Sequence, residues 1–284
     1  MDLMLADRVH VVTGGTKGLG RAAAEALVAE GAKVVVSSRD SSAVEEAVAS
    51  LGPANAVGLA CDNADPETPR RLVDLAVERF GRLDGALVSV GGPPAGPALD
   101  VTDEQWRAGF ESVFLGSVRL ARELTAAMAE GGSLAFVLST SVKAPVAGLG
   151  ISNGLRPGLA MVAKEMAGEL GPRGIRVNAL LPGRLDTDRV RSLDALQEDP
   201  DAARSAWSGR IPLGRYGRPE EFGAVAAFLL SPRAPSSPGL HYRSTVACCP
   251  SDPRSCGPVG FGVGAGSGGV ASSPEAFLRS RHSS

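Results

Sequence analysis

Over the first 230 residues, short β-branched runs alternate with longer stretches of Ala, Leu, Glu and Arg. The apolar runs fall at Arg8–Thr13, Lys33–Ser38, Ala56–Cys61, Gly85–Val90, Ser133–Ser139 and Ile175–Leu180. They are hydrophobic at successive positions rather than at every second one, which marks strands buried on both faces. Between them, apolar residues recur at helical spacing over Gly18–Glu30, Ser41–Ser50, Pro66–Phe80, Asp103–Met128, Ser152–Leu170 and Pro219–Leu230. Each parallel strand pair needs a crossover, so this order predicts an α/β fold: a doubly wound parallel sheet with helices on both faces. Ligands of such a sheet sit beyond the carboxyl ends of its strands.

Composition changes the picture at one place. From about Ala234 the chain becomes rich in Gly, Ser and Pro and loses all periodicity, so residues 1–233 are expected to form the folded body and 234–284 a disordered tail. Elsewhere composition mainly excludes. The 44% hydrophobic content suffices for a full core, and a formal charge of −2 gives no reason to expect nucleic acid. No apolar run is long enough to span a membrane, and the charged start (Asp2, Asp7, Arg8) does not read as a signal peptide. Of four cysteines, Cys61 alone lies in the body, as expected of a reduced core residue in a cytoplasmic protein. Cys248, Cys249 and Cys256 crowd into the tail and are not read as a metal site.

The first candidate chemistry is a glycine loop, Thr13-Gly14-Gly15-Thr16-Lys17-Gly18-Leu19-Gly20, between the first strand and the first helix. Gly14 allows the turn, Gly18 lets backbone N–H groups approach a pyrophosphate, and Gly20 permits close packing of the helix. The helix N-terminus adds a positive dipole end. With this loop the chain resembles the short-chain dehydrogenase/reductase family, which shares the T-G-x-x-x-G-x-G spacing. Further motifs carry the resemblance from about Leu5 to Ala234: Asp62 after the third strand, Asp84 to Gly91, Arg176-Val177-Asn178 with Pro182-Gly183 and Thr187, and Ile211 to Glu221 before the last helix. The resemblance implies a Rossmann-type fold and a nicotinamide cofactor. Its site would take in Gly14, Thr16, Lys17, Gly18, Leu19, Gly20, Ser38, Arg39, Asp62, Asn63, Ser89, Gly91, Arg156, Pro182, Gly183 and Thr187. Members that prefer NAD carry an acid at the end of the second strand. Here Ser37-Ser38-Arg39 and Lys17 stand instead, and two cations without an acid favour the 2′-phosphate of NADP(H). Otherwise Arg39 is a solvated surface charge.

At the catalytic positions the chain departs from the family. Members typically use Asn, Ser, Tyr and Lys, the last two as Y-x-x-x-K; the matching helix here opens Ser152-Asn153-Gly154-Leu155-Arg156. Serine replaces the proton donor, although a hydroxyl is a far weaker acid than a phenol, and arginine replaces the lysine. No Asn falls between Phe110 and Gly116, and neither tyrosine (Tyr216, Tyr242) stands where a substitute acid belongs. Ser139, thirteen residues before Ser152, matches the family serine, with Ser141 as the alternative. Lys143, next along the same loop, is expected to face the nicotinamide pocket and to polarise or protonate a substrate oxygen, or else to be an ordinary loop lysine. Similar G-G-P-P and S-N-x-x-R combinations mark one divergent branch of the family, and Gly91 to Pro97 and Ser152 to Arg156 match them.

The resemblance implies an oxidoreductase of the carbonyl reductase or alcohol dehydrogenase type acting on a small molecule, or a catalytically impaired NADP(H)-binding relative. It also implies a homodimer or homotetramer where the C-terminus is intact. The substrate is not legible; Trp207 in the segment 185–210 either lines a pocket or packs, and packing is the preferred reading. Family members end with a seventh strand of the form V-T-G-x-x-L-P-V-D-G-G, absent here. Back-translating Ser236 to Cys249 with G- or C-ending codons, and TCA for Ser237, gives V-T-G, two free positions, L-P and V-D-G-G-L-L in another frame. The tail therefore reads as out of frame, and the seventh strand is expected to be lost.

Overall fold

The computed structural model describes residues 1–234 and the backbone of His241–Arg243. Seven parallel strands form one sheet in the order β3-β2-β1-β4-β5-β6-β7. They are β1 Val9–Thr13, β2 Lys33–Ser38, β3 Ala56–Ala60, β4 Gly85–Ser89, β5 Ser133–Val137, β6 Arg176–Leu181 and β7 His241–Arg243. The chain starts in the middle, winds outward through β2 and β3, then returns across β1 to β4, so order reverses between β1 and β4. In that register Val11 lies beside both Val35 and Ala86. A reversal of this kind opens a crevice at the carboxyl ends of β1 and β4.

The continuous apolar runs follow from two-sided burial. In β1, Val9 and Val11 enter one core while Val12 enters the other; in β2, Val35 faces the first and Val34 and Val36 the second. On the first face lie α3 (Thr68–Phe80), α5 (Gly116–Ala127) and α6 (Gly150–Leu170), through Leu72, Leu120, Leu124 and Leu159. On the second lie α1 (Gly18–Ala29), α2 (Ser41–Leu51) and α9 (Pro219–Leu230), through Leu27, Leu51, Phe222 and Leu229. Each fully buried large side chain contributes about 1.5–3 kcal/mol, so these two layers hold the sheet.

Three expectations are modified. The stretch Asp103–Met128 is not one regular helix: α4 (Asp103–Gly109) passes into a π-helical turn, Phe110–Leu115, before α5 begins. The turn lies where Gly116 abuts the Asn63 carbonyl, a backbone approach that a β-carbon would block. Two short helices, α7 (Asp188–Asp194) and α8 (Pro200–Ser208), fill the region that offered no pattern. Their N-caps, Thr187 and Asp199, accept from the Val190 and Ala202 amides. Finally, the seventh strand is not lost. His241, Tyr242 and Arg243 pair in parallel with Ala179, Leu180 and Leu181. Ladder hydrogen bonds are made by the backbone, which every residue carries, so the open edge of β6 accepts an extended segment whatever its side chains. The rest of the expected tail, and with it Cys248, Cys249 and Cys256, lies outside the described residues. Among those described, no helix is long and apolar enough to cross a membrane.

Candidate active site

At the crevice, the end of β1 is fixed to the end of β4. Thr13 Oγ1 donates to the Ser89 carbonyl at 2.8 Å and accepts from the Ser89 amide at 2.9 Å. The chain then turns through Gly14 and Gly18, at φ of +58° and +57°, a region that costs other residues about 1–2 kcal/mol. A β-carbon on Gly14 would stand 2.9 Å from the Ser89 carbonyl oxygen, and one on Gly20 would collide with the Gly14 carbonyl. The loop thus folds tightly under α1. That helix has no side-chain cap and no acid in its first turn, leaving its dipole end and N–H groups for an anion. Thr16 and Leu19, both half-buried, belong to the same loop and first turn, and the Thr187 methyl stands 3.7 Å from where a β-carbon on Gly18 would be. A diphosphate fits such a cradle.

At the end of β2, Ser38 Oγ donates to the Asp40 carbonyl, and the Asp40 carboxylate accepts from the Ala43 amide as the N-cap of α2. The first acid after β2 is thereby committed to its own helix. Lys17 and Arg39 are exposed and have no ion pair among the described residues. Asp62 is exposed after β3, with its side chain accepting from the Ala64 amide; Asn63 follows it against Gly116. Gly91 is exposed after β4. Pro182 accepts from the Thr140 amide at 3.1 Å, tying the end of β6 to the turn after β5, and Gly183 follows it.

Beyond β5 the candidate catalytic residues gather. Ser139 caps a 3₁₀ turn, accepting from the Ser141 amide. Ser141 and Ser152 are buried with their hydroxyl oxygens 3.4 Å apart. Of the two candidate serines, Ser141 is thus the one that meets Ser152. Lys143 ends the same turn, exposed, with no hydrogen bond or ion pair from its side chain among the described residues. Arg156, one turn along α6 from Ser152, is 6% exposed and donates from Nη1 to the Val137 carbonyl at 2.9 Å. Burial, with repulsion from Arg189 added, pulls Arg156 down to about 10, which leaves it a cation at neutral pH. Tyr216 is no substitute acid. Its hydroxyl donates to Asp194, and burial pushes it up to about 12.

Three residues escaped the sequence reading. Asn153 clips the loop before α6, exchanging hydrogen bonds with both backbone groups of Val146. Arg189 on α7 donates from Nη2 to the Pro93 carbonyl at 2.7 Å and lies against Gly92. Arg184 pairs with buried Asp194 and stacks over Trp207 at 4.2 Å, so Trp207 packs, as expected. A cleft of about 240 Å³ opens beside these residues between Gly96, Leu149, Arg184 and Leu196. Reciprocal bonds Gly96–Gly148 and Gly150–Gly96 join its two loops. Asn153 stands inside the S-N-x-x-R run, but its clip on Val146 has no local signal; Arg184 and Arg189 stand in no fixed-spacing motif, and only the density of Arg near Asp186 and Asp194 signals them.

Comparison with known proteins then places the chain. A family model described as enoyl-(acyl carrier protein) reductase matches residues 14–241. An uncharacterized oxidoreductase of Methylorubrum extorquens is 33% identical over 231 residues, covering 80% of this chain and 92% of that one. The chain is a short-chain dehydrogenase/reductase. Within the family, 2,5-dichloro-2,5-cyclohexadiene-1,4-diol dehydrogenase of Sphingobium indicum is 33% identical over 235 residues, 81% of this chain and 92% of its own. L-sorbose reductase from Gluconobacter frateurii, solved with NADPH and L-sorbose, superposes with a TM-score of 0.82. It is 29% identical and covers 87% of this chain and 98% of that one. The oxidoreductase fold is therefore that of the family.

Proposed function

We propose that this chain is an NADPH-dependent oxidoreductase interconverting a carbonyl and an alcohol on a small molecule. The observation that carries the cofactor choice is the pair Lys17 and Arg39. Both are exposed without an ion pair among the described residues, beside a β2 end whose first acid caps α2. The NADPH bound to L-sorbose reductase supports the same reading. Gly14, Thr16, Gly18, Leu19 and Gly20 hold the diphosphate; Ser38 and Arg39 the adenosine ribose and its phosphate; Asp62 and Asn63 the adenine; Ser89, Gly91, Arg156, Pro182, Gly183 and Thr187 the nicotinamide half. When bound, the nicotinamide supplies or removes a hydride at the substrate carbon.

The protein's own part is to hold the oxygen. Ser141 and Ser152, 3.4 Å apart, converge on one carbonyl oxygen, while the Arg156 cation stabilises charge developing there. A serine hydroxyl does not give up a proton near neutrality, so Lys143, on the turn beside Ser141, supplies it. A cytoplasmic location belongs to the same proposal, supported by Cys61 as a buried free thiol. So does a homodimer or homotetramer where the C-terminus is intact, supported by Met161 on α6 and Phe110 beside α4, exposed at 63% and 43%.

Cofactor fluorescence titration tests the reading. Saturable NADPH binding at least about tenfold tighter than NADH, lost in Arg39→Asp, is the expected result. Equal affinities, or an unchanged preference in Arg39→Asp, would reject NADPH. The second reading, a cofactor-binding relative that lost catalysis, is favoured by Ser152 at the tyrosine position. Cofactor binding with no hydride transfer to any carbonyl substrate would select it, and a Lys143→Ala protein as fast as the parent would remove Lys143 from the mechanism.

A further inference from the structure

Two guanidinium groups converge on the same corner of the crevice without an acid. Arg156 reaches the Val137 carbonyl at the end of β5, and Arg189 reaches the Pro93 carbonyl just after β4, the neighbouring strand. Neither has a carboxylate partner among the described residues, and the groups repel each other. Each makes one hydrogen bond to a carbonyl among the described residues, although a guanidinium carries five N–H donors. Arg189 is exposed, but Arg156 is buried, and burying a cation costs several kcal/mol unless an anion answers it; its neighbours Arg184 and Arg204 are answered by Asp194 and Asp186. The uncapped end of α1, on the other side of Thr187, already offers the diphosphate its place.

We propose that Arg156 and Arg189 bind a carboxylate of the substrate, so that the substrates are oxo acids and the matching hydroxy acids. This rests on the oxidoreductase reading above and adds the substrate class. The Ser141 and Ser152 hydroxyls take the adjacent carbonyl oxygen, whose developing charge the same Arg156 cation also meets. In reduction the carbonyl carbon gains the hydride and its oxygen a proton, giving a hydroxy acid as reduced nicotinamide becomes oxidised. Gly92 leaves room for this guanidinium: a β-carbon there would stand 2.8 Å from Arg189 Nε and push the side chain aside.

The test is calorimetric titration of the 284-residue protein, free and NADPH-loaded, with oxalate and with its neutral counterpart oxamide. Parent, Arg189→Gln and Arg189→Lys proteins are compared. Oxalate should bind the loaded parent at least about tenfold tighter than oxamide, weaken about tenfold in Arg189→Gln and recover in part in Arg189→Lys, with NADPH affinity unchanged. Oxalate binding no better than oxamide, in a protein that binds NADPH, overturns the anion site and leaves the cofactor reading intact. An Arg189→Gln protein that loses NADPH affinity but keeps its oxalate affinity assigns the pair to the cofactor's phosphates and overturns the substrate class. Should NADPH fail to bind, the cofactor reading falls, and the same oxalate–oxamide comparison on the free protein still decides the anion site.

Discussion

Gly14 stands at φ +58° with the Ser89 carbonyl oxygen 2.9 Å from where a β-carbon would be. Both conditions penalise any side chain, so Gly14→Ala should lower stability by about 1–3 kcal/mol and abolish NADPH binding. Urea melts and cofactor titration check the two effects, and an unchanged Gly14→Ala protein would contradict the tight turn. His10 makes a different demand. It is fully buried in β1, and burial, opposed in part by Asp84, pulls its pKa from 6.5 down to about 4. The unfolded chain therefore binds a proton that the folded one refuses. His10 stability is fully present above pH 6.5 and falls as pH drops from 6.5 toward 4, by about 3 kcal/mol in all. Melts at pH 7 and pH 5 should differ less in His10→Leu than in the parent.

Elements meet where small residues let backbones touch. On α9, Gly223 faces the Ala22 carbonyl of α1 so closely that a β-carbon would collide with it. Gly223→Leu should part these two helices and cost about 1–3 kcal/mol, lowering the melting midpoint by several degrees, as calorimetry would show. At the other face, the π-helical turn between α4 and α5 brings Gly116 against Asn63. Hydrophobic spacing predicted a helix there but not the turn, because a π turn shifts the register by a single residue and leaves the apolar stripe almost continuous.

At the scale of the molecule, the sheet's last edge is its weak place. β7 pairs through only three residues, whereas β6 has six. A chain encoding V-T-G-x-x-L-P-V-D-G-G from Ser236 onward should cover that edge with apolar side chains. We expect it to melt higher than the present sequence and to elute at a larger, defined oligomeric size. Scanning calorimetry and size-exclusion chromatography with light scattering read both; equal midpoints would show that the edge adds nothing to stability. DNA sequencing across Ala234 tests the frame directly.

How much was legible follows from the range of each force. Strand and helix positions, the glycine loop and the cation pair at Lys17 and Arg39 are written locally: periodicity, positive-φ glycines and the absence of an acid need no partner from afar. Boundaries shifted by no more than about two residues, since ends depend on capping. The meeting of Ser141 with Ser152 depends on the turn after β5 and the start of α6 being brought together. The pairing of Arg156 and Arg189 is less legible still, because one lies on α6 and the other on a seven-residue helix without a sequence signal. The amino-acid sequence determined the doubly wound sheet and its cofactor crevice through short-range patterns. Only tertiary packing decided which polar groups meet, since burial and charge proximity are properties of residues far apart in the chain.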